Sequence, residues 1–198
     1  LKRLQEHLPA NPYKTHQFGN RKATDAAEVT QTLRLIFELG NNFDEAVFVT
    51  KIDLRKAFDT LYLDAIKDAF VFWDVPEELQ VAFLREYAIE DMFFLLGSQK
   101  VAEVRRKAGV KQGGCESGFL FQLAVDVALR PLLEKWHRQG RGVTIGHVLK
   151  IAHLQFADDM YLITNSMHEL RIMLGELETC LQAIGLKFAG KKLAWTTN

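Results

Sequence analysis

The chain has 198 residues, 48% of them hydrophobic and 25% charged, with 25 basic residues against 25 acidic ones. A chain of this length buries roughly 70% of the surface its unfolded form exposes, which suits one compact domain or two small lobes. The charge balance excludes a strong positive field over the whole molecule, so any nucleic-acid groove has to be local. Cys115 and Cys180 stand far apart, and no pair of the six histidines joins them at zinc-ligand spacing. That pattern points to a reducing compartment, nuclear or cytoplasmic, rather than a disulfide scaffold. The longest apolar run, 119–129, is interrupted by Gln122 and Asp126 and falls short of the roughly 18 residues that read as a membrane span. No membrane segment and no signal peptide are expected. The opening on Leu1 and the close on Thr197-Asn198 suggest a piece of something longer.

Taken in chain order, residues 24–39 carry Ala26, Val29, Leu33, Ile36 and Phe37 at three- and four-residue steps. That spacing predicts an amphipathic helix, stopped by Gly40-Asn41-Asn42. A short strand is expected over 46–53. Helices follow over 61–73 and 76–87, the second with Pro76 in its first turn, where the missing N–H costs nothing. Residues 101–107 alternate like an edge strand, with Arg105, Arg106 and Lys107 on a basic face. Over 115–139 the apolar residues cover most of the circumference, which predicts a buried helix kinked near Pro131. Residues 151–156 and 160–164 read as two short strands joined in a tight hairpin by Ala157-Asp158-Asp159. A last helix is expected over 166–184, where Leu170, Met173, Leu174, Leu177, Leu181 and Ile184 form one stripe. Helices alternating with a few hairpin strands indicate an α+β fold.

The candidate chemistry lies at strand ends. Asp53 closes the run Val47-Phe48-Val49-Thr50-Lys51-Ile52, and Asp158-Asp159 sits at the tip of the hairpin. Single aspartates are mostly solvated loop residues or helix caps. An adjacent pair flanked by apolar strand is harder to explain as turn chemistry, although a surface hairpin with an acidic tip would also produce it. If the acids converge, each pair about 4 Å apart repels by about 4 kcal/mol at an effective dielectric near 20. A cation between them removes that cost. Mg²⁺ fits because it takes hard oxygen ligands, one or two carboxylates, and completes its shell from water and substrate phosphates. Two such ions serve in-line phosphoryl displacement, the chemistry of polymerases and nucleases.

From Phe18 to Lys192 the chain resembles the reverse transcriptases of non-LTR retrotransposons. Phe156-Ala157-Asp158-Asp159 is similar to the family's FADD hairpin, and 52–59, Ile-Asp-Leu-Arg-Lys-Ala-Phe-Asp, to its D-x-x-x-A-F-D block. Gly109-Val110-Lys111-Gln112-Gly113 resembles the G-V-x-Q-G segment, and Gly185-Leu186-Lys187 running to Lys191-Lys192 the later G-L-x-K block. Four blocks in the family's order are far more specific than any one. The resemblance implies a polymerase palm, a small antiparallel sheet packed on helices, with partial fingers over 1–45, palm over 46–198, a fingers-like insertion around 60–110, and no thumb. It implies two Mg²⁺ ions, with Mn²⁺ as a substitute, held by Asp53, Asp158 and the backbone carbonyl of Leu54, with Asp159 shaping the site or ligating indirectly. Phe58 would lie under the incoming sugar and exclude a 2′-hydroxyl, or serve as an ordinary core aromatic. Gln112 and Gly113 would lie against nucleotide and template, or form a plain turn before a helix. Arg21 and Lys22 would approach template or triphosphate. Lys192 would act as general acid toward pyrophosphate if its surroundings lower its pKa. Arg105, Arg106 and Lys107 would line the template–primer groove or merely protect a strand edge.

The implied partners are an RNA template, a DNA primer and dNTPs, within a longer retroelement polyprotein, inside the cell and away from membranes. The chain departs from the pattern after Gln112-Gly113, where Gly114-Cys115-Glu116-Ser117-Gly118 replaces an acid and a Pro-x-Ser-Pro-like stretch, and at Asn20 and Ala189. Besides RNA-directed DNA polymerase, two other functions are open at this level. One is a catalytically degenerate relative that only binds nucleic acid or protein. The other is a metal-dependent nuclease, which would leave Phe58 and the Gln112-Gly113 pair unexplained.

Overall fold

A computed structural model of the chain describes residues 1–8, 26–88, 91–96, 99–105, 108–110, 114, 116–145, 149–190 and 194–198. Its centre is strand β1, Phe48–Ile52, which pairs antiparallel on one side with β7, Asp159–Thr164, and on the other with β8, Ala194–Thr197. Strand β6, His153–Phe156, closes the far edge, so the order is β6-β7-β1-β8. The period of two sorts the side chains. Thr50, Ile52, Met160, Leu162 and Gln155 share one face, and Val49, Lys51, Tyr161, Ile163 and Leu154 share the other.

The first face is dry. It is backed by α6, Ser117–Arg138, and α7, Met167–Ala183, with α4, Leu63–Phe72, packed on α6. Ile52, Leu54, Phe70, Phe121, Leu123, Leu162, Met173 and Leu177 join in this core. Because α6 is enclosed by neighbours, apolar residues are needed around most of its circumference, and Asp126 and Arg130 are buried in it only as an ion pair at 2.7 Å. Arg130 also lies over the rings of Phe72 and Trp73, at 4.8 and 5.0 Å. Helix α6 runs unbroken through Pro131, which removes one N–H from the ladder on the exposed side. Both helices end in Schellman motifs. Gly140, φ +71, and Gly185, φ +87, occupy the left-handed position, and Arg141 N–H to Trp136 O and Leu186 N–H to Leu181 O close the caps at 2.9 Å each. Helix α7 starts on the N-cap Ser166, whose Oγ accepts from the Glu169 N–H.

The second face is covered only in part. Helix α2, Ala26–Asn42, and the hairpin of β4, Val143–Ile145, and β5, Leu149–Ile151, bury Val49, Leu154 and Ile163. Lys51, Asp53, Asp159 and Tyr161 on the same face stay half-exposed. Among the described residues, that is the uncovered end of the sheet.

Several boundaries differ from the sequence reading, each for a tertiary reason. Helix α2 continues through Gly40 rather than stopping there, because a Cβ at Gly40 would meet Val47 Cγ2 at 2.6 Å: the glycine serves close approach of helix to strand. The helix expected over 61–73 is α4, with a separate short α3, Ala57–Thr60, unanticipated before it. Tyr62 N–H donates to Ile184 O at 2.9 Å and Leu61 O accepts from Gly109 N–H at 2.7 Å, so tertiary partners take the groups a continuous helix would use. Helix α5, Glu77–Ala88, starts just after Pro76. The strand expected over 101–107 is β3, Gln99–Arg105, paired with an unanticipated β2, Asp91–Leu96. Also unanticipated are α1, Lys2–His7, the β4–β5 hairpin, and β8. All four residues of β8 are exposed. Main-chain pairing holds it, together with Asn198, whose Oδ1 accepts from Val47 N–H at 2.8 Å and whose Nδ2 donates to Asn41 Oδ1 at 3.0 Å.

Candidate active site

Three short stretches build the site. The ladder of β1 with β7 ends at Ile52 opposite Met160. One further step of the same register sets Asp53 beside Asp159, both on the uncovered face. On the other side Arg55 N–H donates to Lys187 O and Ala189 N–H to Asp53 O, each at 2.8 Å, bracketing the pair of Leu54 with Phe188. In such a non-hydrogen-bonded pair the N–H and C=O of the residue itself point away from the partner strand. The carbonyl of Leu54 is therefore directed to the β7 side, while its side chain is buried in the core.

The hairpin between β6 and β7 closes on two residues, Ala157 and Asp158, because Phe156 pairs with Asp159. Asp159 is thus the first strand residue and Asp158 alone stands in the turn, a finer division than the sequence reading made. Ala157 has φ +55, a left-handed conformation costly for a residue with a Cβ. Buried Gln155 braces it by donating from Nε2 to Ala157 O at 2.9 Å. Asp159 is occupied by Lys51, whose Nζ lies 2.9 Å from its Oδ2 and 5.8 Å from the centroid of the Tyr161 ring. The hydrogen bond to Asp159 raises the Lys51 pKa above its ordinary 10.5, against partial burial, so the lysine is fully charged at neutral pH. Among the described residues no three His, Cys, Asp or Glu form a ready-made metal cluster. Two carboxylates and a carbonyl satisfy Mg²⁺, which draws its other ligands from water and phosphates. The donor set fits such an ion.

Five residues beyond Asp53 stands an aromatic pair. Phe58, in α3, is half-buried and stacked on Phe121 of α6, with centroids 4.8 Å apart and 28° between planes. The Gly109-Val110 segment is fastened to the same turn, Val110 N–H donating to Phe58 O at 2.6 Å. Gly109 has φ +93, and a Cβ there would fall 2.6 Å from Asp59 O. Two motifs far apart in sequence are so brought together. At the start of α6, Tyr87 OH donates to Glu116 Oε1 at 2.8 Å and lies 3.3 Å from Ser117 Oγ. The remaining sequence candidates Arg21, Lys22, Gln112, Gly113 and Lys192, with Arg106, Lys107 and Cys115, lie outside the described residues. Sequence reasoning missed Lys51 and Gln155. Lys51 stands two residues before Asp53, on the same face, and that period was the available signal. Gln155 carried none.

An antiparallel sheet backed by two helices, with carboxylates at the end of its central strand and in the neighbouring hairpin turn, defines the palm of a nucleotide polymerase. Solved structures share the fold: apo telomerase from Candida tropicalis, truncated from its C-terminal domain, superposes with a TM-score of 0.66 at 15% identity over 100% of this chain and 38% of that one. Telomerase from Candida albicans, solved with a fragment of telomeric RNA, gives 0.61 at 11% identity over 98% of this chain and 33% of that one. The family model described as "Reverse transcriptase (RNA-dependent DNA polymerase)" matches residues 1–198, and the chain belongs to that family. Among curated relatives, the Pol polyprotein of the type-1 retrotransposable element R2 of Nasonia vitripennis is 28% identical over 170 residues, 86% of this chain and 16% of that protein. The corresponding R2DM polyprotein of Drosophila melanogaster is 24% identical over 176 residues, 89% and 16%. The chain thus spans about a sixth of the relatives it matches, and the expected kinship with retrotransposon reverse transcriptases is borne out. No helix among the described residues is long and apolar enough to cross a membrane.

Proposed function

We propose that this domain carries the nucleotidyl-transfer centre of an RNA-directed DNA polymerase within a longer retroelement Pol polyprotein, extending a DNA primer on an RNA template with dNTPs. The register of β1 against β7, which sets Asp53 beside the Ala157–Asp158 turn, carries the reading. Asp53, Asp158 and the carbonyl of Leu54 would hold two Mg²⁺ ions, which when bound activate the primer 3′-hydroxyl and stabilise the leaving pyrophosphate oxygen. The contact of Asp159 with Lys51 orients the first strand residue after the turn. Phe58, fixed by Phe121, would back the sugar of the incoming nucleotide and exclude a 2′-hydroxyl. Gln112 and Gly113 would contact nucleotide and template, Arg21 and Lys22 the triphosphate or template, and Lys192 would protonate pyrophosphate. In this reading residues 1–45 belong to partial fingers and 46–198 to the palm, with a fingers-like insertion around 60–110.

Primer extension on a primed RNA template, by the polyprotein that carries this domain, tests the reading. Mg²⁺ or Mn²⁺ dependence and loss of extension in Asp158→Ala are expected. Extension that survives Asp158→Ala overturns the assignment of the acids. Template binding without turnover in the unaltered protein would favour a catalytically degenerate nucleic-acid-binding module instead.

A further inference from the structure

A second charged feature lies away from the acids. A cavity of about 510 Å³ opens between the C-terminal end of α6 and the β5–β6 edge of the sheet. It belongs to the helix-backed side, because His153 at its floor shares a face with Gln155 and Met160, not with Lys51 and Tyr161. The four steps from His153, at the start of β6, to Ala157, just past its end, span about 13 Å at ~3.3 Å per residue. The cavity and the catalytic turn are thus at opposite ends of one strand and on opposite faces.

Its lining is cationic in a chain of zero net charge. Among the described residues Arg130, Arg138, Arg141 and Lys150 line it, against a single acid, Glu134. Two of the four are held in place by counter-acids that do not line the cavity: Arg130 by Asp126 at 2.7 Å, and Arg141 by Glu176 at 3.5 Å. Arg138 and Lys150 are exposed and make no ion pair among the described residues. The Schellman turn fixes the rim. A Cβ at Gly140 would lie 3.7 Å from Lys150 Nζ, so the ammonium sits over a turn residue without a side chain. Leu133, Ile151 and Ala152 give the wall an apolar strip beside the charges. Paired guanidinium groups, exposed cations at the rim and an apolar strip match a phosphodiester backbone with its sugars, and the volume exceeds a lone phosphate ion.

We propose that this cavity binds the backbone of an RNA strand, as a second nucleic-acid site remote from the polymerase acids. The RNA identity rests on the polymerase reading, which puts RNA within reach of the domain. Arg138 and Lys150 contact phosphates, while Arg130 and Arg141 set the shape of the site.

The test compares the 198-residue chain with its Arg138→Ala/Lys150→Ala double variant, titrating a labelled single-stranded RNA of roughly 20 nucleotides by fluorescence anisotropy across salt concentrations. Each lost phosphate contact lowers the slope of log K against log salt by ~0.7 on a single strand, so the variant should be flatter by ~1.4. Between about 50 and 200 mM salt the native chain should then lose about 7-fold more affinity than the variant, 4 raised to the power 1.4. Thermal melting confirms that both fold, as expected for two exposed side chains. Equal slopes overturn the proposal. So does equal competition by an acidic peptide of matched charge, which would make the occupant a protein segment. Protection of Lys150 from acylation by inorganic phosphate or a dNTP, but not by RNA, would reduce the cavity to a single-anion site and also overturns it. The Asp158→Ala change should leave the slope untouched. If extension survives that change while the slope difference holds, the assignment of the acids fails and the cavity's binding of RNA stands.

Discussion

Replacing Gly109 by Ala adds one methyl group at the junction between α3 and the loop before α6. Its φ of +93 is one that a residue with a Cβ rarely adopts, and the new carbon would fall 2.6 Å from Asp59 O and 2.7 Å from Phe58 O. Neither carbonyl can turn aside, because Phe58 O accepts the Val110 N–H and α3 is anchored through Leu61 O to Gly109 N–H itself. Left-handed strain costs about 1–2 kcal/mol, and overpacking against fixed atoms another ~1–3. The expected loss is therefore about 2–5 kcal/mol, a large part of a typical stability of about 5–15. Gly175 supplies the control. It lies in α7 with nothing within 4 Å of an added Cβ, so Gly175→Ala should stabilise by about 0.5–1 kcal/mol through helix propensity. Urea unfolding of the two variants measures both. A Gly109→Ala cost below about 1 kcal/mol, or a Gly175→Ala variant less stable than the native chain, would refute this account of why the glycine stands in that motif.

Ala157→Gly relieves the left-handed turn residue of the β6–β7 hairpin. A net gain of about 0.5–1 kcal/mol is expected after the entropy of glycine is subtracted, read from the urea midpoint. Lys51→Met removes a half-exposed ion pair and should cost under about 1 kcal/mol in stability, while shifting the metal concentration needed for primer extension as Asp159 is released. Because the Lys51 pKa is raised in the folded chain, its contribution is complete below pH 10.5 and is lost as pH rises through the folded value, which Lys51→Met should abolish in alkaline melts. Glu176 behaves in the opposite sense. Burial opposes its charge, but hydrogen bonds from Lys135 and Trp136 Nε1 and the nearby Arg141 outweigh that, and its pKa is lowered. Its contribution is present above pH 4.5 and disappears as pH falls through the lower folded value, so Glu176→Gln should flatten acid unfolding below pH 4.5. Burial pushes the Cys180 thiol above its ordinary 9.0, so its alkylation at pH 8 should be slow in the native chain and fast in denaturant.

Local pattern by itself determined the long amphipathic helices, the buried character of α6, the β6–β7 hairpin and the strand ending in Asp53, because period and turn chemistry are written in neighbouring residues. The family's blocks likewise named Asp53, Asp158 and Phe58 as candidates. Tertiary structure alone decided which face each acid occupies and who its neighbour is. Lys51 reaches Asp159 because β1 and β7 pair in one register, and a slip of one residue would have put it on the helix side. The break at Leu61–Tyr62 depends on Gly109 and Ile184, which no short window on the sequence contains, and the continuation through Gly40 on a close contact with Val47 that only the folded chain makes. Strand β8 is exposed throughout and has no alternation to read, since main-chain bonds to β1 and the Asn198 side chain fix it instead of burial. The cationic cavity gathers residues from α6, the turn after it, β5 and β6, and in a chain whose charges sum to zero only folding could set them together.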